Sequence, residues 1–370
     1  KNQIVMVPGP PPPTRSVATP QVLPQPELKS TSLATTRQIP RRQVFLFRAL
    51  TFCWFALMVK LTHAFIRPKR AAFRLYPHIV PPRHVDGTEP LQKVLANITL
   101  RDFLSQEFHL ALAPAFFGIY AYTGVFMAWN DTDYQQNIQS VAGASAGAMA
   151  AVILAAKIEP HKVAALGRNM TLQKFADPAL GFGLFKGDKF ERIMENFIET
   201  ASPNRTLSME DCSIPVACTV FDLKTMQGRI LTSGSLARAA RASSTFPLLF
   251  QPVVHGDEIL IDGGIADMLG LNGLAAFSPN TSKRIVNVAV GGFSTTPPGP
   301  DSMPEGVKSK EMLSVSILNT PQCGPWAMSN GPRAIEAARR AMEASLDLKL
   351  YYGEQEGHYE LHIDARSFVE

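Results

Sequence analysis

The amino-acid sequence predicts an α/β domain in which a mostly parallel central sheet is covered by helices on both faces. Within residues 107–292, short apolar segments typical of buried strands alternate with segments of helical periodicity. Such alternation is typical of parallel sheets, because each crossover between neighbouring strands lays a helix on one face. A second indication is Ser145, which follows a predicted strand and precedes a predicted helix. A basic, partly apolar N-terminal leader precedes the domain and is predicted to lie outside it.

The predicted elements follow one another through the domain. We expect strands near residues 107–113, 138–142, 214–221, 228–232, 258–261 and 285–291. We expect helices near residues 116–130, 146–157, 187–200, 235–242 and 332–350. Residues 249–254 are predicted to form a hairpin with 258–261 that delivers Asp262 to the edge of the sheet. The last helix carries one apolar face and is predicted to be structural, whereas residues 303–328 are predicted to be loop-rich.

The most informative motif is the turn around Ser145, which is flanked by Ala144 and Ala146 and then by Gly143 and Gly147. A serine between small residues on a sharp strand-to-helix turn is typical of a nucleophile elbow, because small neighbours allow the strained turn that exposes the hydroxyl. The helix that follows directs its first amides and its positive dipole end toward any anion formed at the serine. An ordinary tight turn is the structural alternative.

A serine hydroxyl is a weak nucleophile near neutral pH, so Ser145 needs a base. Of the eight histidines, His358 and His362 follow the serine at a spacing suited to the Ser-Asp-His order. They lie in a polar C-terminal segment, where exposed surface histidines are the expected interpretation. A Ser-His-Asp site that uses one of them is therefore kept only as an alternative.

Asp262 is the better candidate for the base. It ends the short apolar segment 258–261 and is followed by Gly263 and Gly264, which allow another backbone to approach closely. A carboxylate at such a position can be held rigidly and partly desolvated, which raises its affinity for a proton. Because Asp-Gly is also a common turn dipeptide, a hairpin turn without a catalytic role is the alternative.

Five motifs occur in order along the domain: residues 143–147, 183–188, 215–223, 240–247 and 262–264. The ordered set resembles the patatin-like phospholipases over about residues 107–292. The resemblance implies a three-layer α/β/α fold and a Ser–Asp dyad without histidine, with Ser145 as nucleophile and Asp262 as base. It implies hydrolysis of fatty-acyl esters of glycerolipids with no metal or organic cofactor. Candidates for an acyl pocket, or simply for core, are Phe116, Phe117, Phe246, Leu248, Leu249 and Phe250.

One loop departs from the family pattern. Where the family has Gly-Gly-Gly-x-x-Gly, whose amides form the oxyanion hole, this chain has Ala113, Pro114 and Ala115 before a matching Gly118. Proline has no N–H group, so one donor is predicted to be missing. The amide of Ala146 and the loop around Ala115 are the expected remaining donors. The alternative function is therefore a weak or inactive patatin-fold protein that binds lipid.

The charge of the chain is concentrated in its leader. Residues 1–84 contain thirteen Lys and Arg residues against the single acid Glu27, whereas the whole chain has a net charge of +5. We expect a disordered proline-rich leader, an apolar membrane or signal segment, a basic linker, the catalytic domain, and a C-terminal extension whose helix packs on that domain: residues 1–43, 44–65, 66–106, 107–292 and 293–370.

The apolar segment predicts association with a membrane, although its uncharged centre is short for a membrane-spanning helix. An interfacial anchor, an internal signal sequence and a helix that covers the core remain alternatives, and the compartment stays open. The expected partners are the lipid substrate and a membrane surface. No nucleic-acid-binding motif is present, the oligomeric state is not indicated, and the four cysteines have no metal-ligand spacing.

Overall fold

The computed structural model describes residues 94–130, 132, 134–277, 283–291, 303–304, 306–307, 309–353 and 355–369. The predicted proline-rich leader, the apolar segment and most of the basic linker lie outside the described residues. No helix of the described part is long and apolar enough to cross a bilayer.

The described strands mostly join one large sheet. They are β1 (Leu95–Thr99), β2 (Phe108–Leu112), β3 (Ile138–Ala144), β4 (Gly183–Phe185), β5 (Val216–Asp222), β6 (Gln227–Leu231), β7 (Leu248–Phe250), β8 (Val253–His255), β9 (Glu258–Ile261), β10 (Lys283–Val290), β11 (Ser309–Leu318), β12 (Lys349–Tyr352) and β13 (His358–Asp364). The sheet has the order β1-β12-β13-β11-β10-β2-β3-β5-β9-β8, and β6 pairs with β5. Its central strands β13, β11, β10, β2, β3 and β5 are parallel to one another.

The described α-helices lie between these strands along the chain. They are α1 (Leu100–Leu104), α2 (Ile119–Asn130), α3 (Ala146–Ala155), α4 (Pro160–Arg168), α5 (Leu172–Phe175), α6 (Asp188–Ala201), α7 (Leu236–Ser243) and α8 (Gly331–Ser345). Helix α3 is apolar on nearly every side, as expected for a helix enclosed by other elements. Helices α2 and α8 pack closely, because a Cβ atom at Gly124 would lie 2.2 Å from the carbonyl oxygen of Ile335.

The two faces of the sheet differ in composition. Alternate residues such as Leu110, Val141 and Val288 belong to the main core together with the helices α2, α3 and α8. The intervening residues of the same strands are smaller or polar, and the segment around Leu271 and Leu274 packs on them. Both faces are covered, so the predicted α/β fold with a mostly parallel sheet is confirmed.

Most predicted elements are present within a few residues of their expected ends. The hairpin formed by β8 and β9 is confirmed, with His255 paired to Glu258 at its turn. The last helix was predicted to reach residue 350, but α8 ends at Ser345 and Leu350 belongs to β12. The strands and the helix that follow residue 292 join the same sheet and the same core.

Two predictions about the C-terminal region were wrong. Residues 303–328 include the ten-residue strand β11 rather than only loops. The segment with His358 and His362 forms β13, and His362 is buried rather than exposed. The reason is the same in both strands, since Ser314, Ser316 and His362 alternate with apolar residues of the main core and occupy the opposite face of the sheet. Because these alternate residues are polar, the two segments lack the continuous apolar run that is typical of a buried parallel strand.

Candidate active site

The sheet brings Ser145 and Asp262 together through their pairing with β5. Strand β6 occupies one edge of β5 along residues 218–222. Strands β3 and β9 pair with residues of the same stretch, so both lie along the other edge of β5. Ala144 at the end of β3 pairs with Thr219, and Ile261 at the end of β9 pairs with Phe221. The two strands therefore approach each other head to head, and the residue that follows each one lies at the same point of β5.

Ser145 occupies a strained backbone conformation at the start of α3. Its φ is 54° and its ψ is −124°, a combination that non-glycine residues rarely adopt. The turn is tight, because a Cβ atom at Gly143 would lie 2.4 Å from the backbone of Gly147. A Cβ atom at Gly147 would lie 2.1 Å from the carbonyl oxygen of Leu112. Glycine is thus required on both sides of the serine by close backbone contact.

The side chains of the two candidate residues are hydrogen-bonded. Ser145 Oγ donates to Asp262 Oδ2 at 2.8 Å, and the amide of Gly264 donates to Asp262 Oδ1 at 2.8 Å. Asp262 is only 5% exposed. Burial raises the pKa of this carboxyl to about 6, because the two hydrogen bonds offset only part of the desolvation of the charged form. The carboxylate is therefore ionised at neutral pH, yet it binds a proton more tightly than an ordinary aspartate.

Glycines next to the aspartate allow the chain to pass through a narrow space. A Cβ atom at Gly263 would lie 1.9 Å from the carbonyl oxygen of Thr219. A Cβ atom at Gly264 would lie 2.9 Å from Pro114 Cβ. The motif at 262–264 therefore fits between β5 and the loop at 113–118.

Two serines of the 240–247 motif hold the elbow in place. The amide of Ser145 donates to Ser243 Oγ at 2.9 Å, and Ser243 Oγ donates to the carbonyl oxygen of Thr219 at 2.6 Å. Ser244 Oγ donates to the carbonyl oxygen of Ser145 at 3.1 Å. This motif carries part of the family resemblance, but no role for its two serines is predicted from the sequence. Their only signal in the sequence is that two serines follow a short helix.

Two further carboxylates, Asp222 and Asp267, accept hydrogen bonds from residues near the same part of β5. Asp222 accepts from the amides of Lys224, Thr225 and Ile259, and its hydrogen bonds, above all that from Thr225 Oγ1, lower its pKa to about 2. Asp267 was not singled out from the sequence. It accepts from Thr219 Oγ1 at 2.8 Å, and burial raises its pKa.

The loop that replaces the family's glycines offers fewer amides to the site. The amide of Ala113 donates to the carbonyl oxygen of Val288 at 3.0 Å, and Pro114 has no amide hydrogen. The amide of Gly118 donates to Ala115 within the loop. Among the described residues, the Ala115 amide has no hydrogen-bond partner.

The start of α3 provides a second free donor. The first amides of a helix have no partner within it, which applies to Ala146 directly behind the nucleophile. Ala146 and Ala115 both line the cavity that contains Ser145. The arrangement therefore leaves two unpaired amides, one from the loop and one from the helix, on residues that line the cavity containing Ser145.

The dyad lies in an apolar cavity of about 330 Å³. This volume is at the lower end of the range typical of ligand sites. Side chains from α3, α4 and α6 form its buried end, among them Ile153, Val163 and Met194. Among the described residues, Asp262 is the only carboxylate that lines it, and no Lys, Arg or His does. Of the six acyl-pocket candidates, Leu248 does not line the cavity and these do: Phe116, Phe117, Phe246, Leu249 and Phe250.

The alternative Ser-His-Asp interpretation is wrong for this fold. Strand β13, which carries His358 and His362, is four strands away from β3. At about 4.8 Å per strand spacing, the separation is about 19 Å. No histidine of the described residues lines the cavity, and no cluster of metal-ligating side chains occurs in that part of the chain.

One family model and several solved structures are similar to this chain. Residues 110–275 match the family model described as patatin-like phospholipase. Among solved structures, VipD from Legionella pneumophila is similar at 16% identity with a TM-score of 0.43, and the match covers 70% of this chain and 56% of VipD. The ExoU–SpcU complex of the Pseudomonas aeruginosa type III secretion system is similar at 14% identity with a TM-score of 0.36, over 65% of this chain and 52% of the other. This chain thus spans little more than half of those neighbours.

The family match and the fold lead to the same assignment. Residues 110–275 form a patatin-like phospholipase domain, and the family resemblance inferred from the five motifs is confirmed.

Proposed function

We propose that this domain is a lipid acyl hydrolase that cleaves fatty-acyl esters of glycerolipids through Ser145 and Asp262. The observation that carries the proposal is the 2.8 Å hydrogen bond from Ser145 Oγ to Asp262 Oδ2 inside an apolar cavity. A nucleophile within hydrogen-bond reach of a buried base, beside free amide donors, is the arrangement that acyl transfer requires.

The first half-reaction forms an acyl-enzyme. Ser145 Oγ attacks the ester carbonyl carbon while its proton passes to Asp262 Oδ2, and the carbonyl oxygen becomes an oxyanion. The amides of Ala115 and Ala146 donate to that oxygen, and the positive end of the α3 dipole stabilises it further. The tetrahedral intermediate then collapses. The bond to the glycerol oxygen breaks, and the leaving alcohol takes the proton from Asp262.

The second half-reaction releases the fatty acid. A water molecule gives its proton to Asp262 and attacks the carbonyl carbon of the acyl-enzyme. When the second tetrahedral intermediate collapses, the bond to Ser145 Oγ breaks and the serine recovers its proton from Asp262. A carboxyl with a pKa of about 6 suits this shuttle, because it is ionised at neutral pH and still accepts a proton better than an ordinary aspartate.

The cavity supports the substrate class. Its lining is almost wholly apolar, which suits a hydrocarbon chain, and its buried end between α3, α4 and α6 suits the methyl terminus. The glycerol and head group would then remain at the open side, near Phe116 and Phe246. We further propose that the substrate is presented by a membrane surface, where the leader also associates through its apolar segment.

The altered loop motivates the second candidate function, a patatin-fold protein that binds lipid with little turnover. Loss of one oxyanion donor lowers turnover by about 10²- to 10³-fold in other acyl hydrolases. Pro114 and the sheet-bound Ala113 remove donors from this loop. The strained elbow and the dyad hydrogen bond favour the catalytic function, since lipid binding requires neither.

Release of fatty acid from mixed glycerolipids, measured by mass spectrometry, tests the proposal. Wild-type protein is expected to release free fatty acid, and Ser145→Ala and Asp262→Asn are expected to release none above background. Asp257→Asn is the matched control, because this exposed carboxylate lies on the β8–β9 turn of the same hairpin. Wild-type protein that binds lipid but releases no fatty acid would establish the second function instead.

A further inference from the structure

The open side of the cavity is surrounded by exposed apolar side chains. Phe116, Phe246, Ile265 and Met268 all line the cavity, yet they are between 38% and 50% exposed. The rings of Phe116 and Phe246 touch, with centroids 5.4 Å apart. A contiguous exposed apolar patch of this kind marks an interaction site rather than an ordinary surface. We call these four residues the mouth.

The loop before α8 adds an aromatic residue beside the mouth. A Cβ atom at Gly324 would lie 3.4 Å from the ring of Phe116, and Met328 lines the cavity. Trp326 lies between them in sequence and is 68% exposed. Tryptophan is enriched where one side of a surface meets lipid and the other meets water, because its ring is apolar and its N–H is polar.

A second loop adds aliphatic and aromatic surface from the other wall. Leu180 and Phe182 are 82% and 70% exposed, and they precede β4. This loop is attached to the cavity wall, because Gln251 Nε2 donates to the carbonyl oxygen of Leu180 and β4 pairs with β7 beside Phe250. The neighbouring Phe250 lines the cavity.

The charge near this cavity is opposite to that of the domain as a whole. Residues 1–84 carry thirteen cations and one acid in a chain of net charge +5, so the remainder of the chain has a net charge of −7. Helices α4 and α5 nevertheless carry three cations and no acid: Lys162, Arg168 and Lys174. Apolar residues of both helices line the cavity. A locally basic flank is therefore complementary to an anionic surface.

We propose that the mouth, Trp326 and the Leu180–Phe182 loop form the surface by which the domain docks onto an anionic lipid bilayer. The proposal rests on the proposed function, since it adds the orientation in which the cavity receives an acyl chain. A bilayer, rather than a second copy of the chain, is favoured because the apolar surface is continuous with the acyl cavity and has a basic flank. Docking in this orientation lets a lipid move from the bilayer into the cavity without crossing water.

Trp326 provides a readout that does not depend on hydrolysis and that reports contact of this loop with the bilayer rather than binding through the leader. The full chain is used as Ser145→Ala combined with Trp54→Phe, which leaves Trp326 and the fully buried Trp129. Vesicles contain non-hydrolysable ether-linked phosphatidylcholine and phosphatidylglycerol in equal amounts, with and without brominated chains. We expect Trp326 emission to shift to shorter wavelength and to be quenched by bromine, and we expect Trp326→Phe to remove this response.

Substitutions away from the cavity test the loop. In the same background, the double change Leu180→Ser and Phe182→Ser is expected to raise the lipid concentration for half-maximal quenching at least tenfold, because neither position can then bury a large apolar side chain in the bilayer. Tyr352→Ser is the matched control. This exposed aromatic residue lies near the opposite sheet edge, beside the start of β13. It is expected to leave binding unchanged.

A soluble short-chain ester separates docking from folding and from catalysis. With Ser145 intact, the loop variant is expected to hydrolyse p-nitrophenyl butyrate at the wild-type rate. If the wild type hydrolyses no ester, the proposed function fails while the fluorescence test of docking remains valid. The docking proposal is overturned if vesicles leave Trp326 emission unchanged or if bromine quenches Trp326 equally in the loop variant and in Tyr352→Ser. It is also overturned if light scattering detects a dimer that the loop substitutions dissociate.

Discussion

Asp262→Asn is expected to stabilise the fold at pH 8 while it abolishes hydrolysis. Asp262 is buried, and its burial raises its pKa from the ordinary 3.8 to about 6. The folded state therefore binds the proton more tightly than the unfolded state. The stability that Asp262 contributes is fully present below about pH 4, is lost as pH rises toward 6, and is absent above that value. Each pKa unit corresponds to about 1.4 kcal/mol, so the ionised carboxylate costs the folded state about 3 kcal/mol at pH 8.

Asparagine removes this cost without losing the two hydrogen bonds. Its carbonyl oxygen can still accept from the amide of Gly264, and its amide can donate to Ser145 Oγ in place of the present O–H donation. The variant is therefore expected to gain up to about 3 kcal/mol at pH 8, and little at pH 4, where the wild-type carboxyl is mostly protonated. Such a gain is typical of sites where activity requires a destabilising group.

Thermal unfolding of the full chain at pH 8 and pH 4 measures this difference. We expect the Tm of Asp262→Asn to exceed that of the wild type by about 5 °C at pH 8, with most of the gain lost at pH 4. Asp257→Asn, at an exposed carboxylate, is expected to change neither value. A variant no more stable than the wild type at pH 8, or equally stabilised at both pH values, would refute the inference that burial of Asp262 destabilises the fold.

Four further outcomes follow from the geometry of the site. Wild-type kcat/KM for a soluble ester is expected to fall about tenfold per pH unit below pH 6, as Asp262 becomes protonated; a flat profile from pH 4 to 8 would contradict this. Pro114→Gly restores an amide to the loop and is expected to raise kcat about tenfold or more, whereas an unchanged or lower kcat would show that donor number does not limit turnover. Ser243→Ala removes the acceptor of the Ser145 amide and one donor to the carbonyl oxygen of Thr219, and urea titration is expected to report a loss of about 1–3 kcal/mol together with a lower kcat. Ile153→Trp fills the buried end of the cavity and is expected to lower kcat/KM for long-chain esters at least tenfold without affecting butyrate esters.

Local patterns predicted the two candidate catalytic residues because each has a signal in its immediate neighbours. The glycines beside Ser145 and after Asp262 are explained by backbone contacts of 2.4 Å or less for three of the four positions. What brings the two residues together is not local. It depends on β3 and β9 sharing one edge of β5, a pairing between segments more than one hundred residues apart that no periodicity in the sequence encodes.

The C-terminal strands β11 and β13, by contrast, are not predicted by the local sequence pattern. His362 and Ser316 are polar, and their segments therefore have the sequence pattern of a surface tail and a loop. In the folded chain they pair with each other on the less apolar face of the sheet. The role of Ser243 is not predictable from the sequence either, because a serine at the end of a helix has many ordinary roles. Only the fold brings its hydroxyl to the Ser145 amide.

Reaction with a fluorophosphonate, followed by intact-protein mass spectrometry and peptide mapping, is the most direct test of the Ser145–Asp262 mechanism. We predict a single adduct on Ser145 of the wild-type protein and none on Ser145→Ala. We predict that Asp262→Asn reacts about 10²- to 10⁴-fold more slowly, because general-base catalysis contributes a factor of this size. A wild-type protein that forms no adduct, or one that reacts equally fast without the Asp262 carboxylate, would contradict the mechanism.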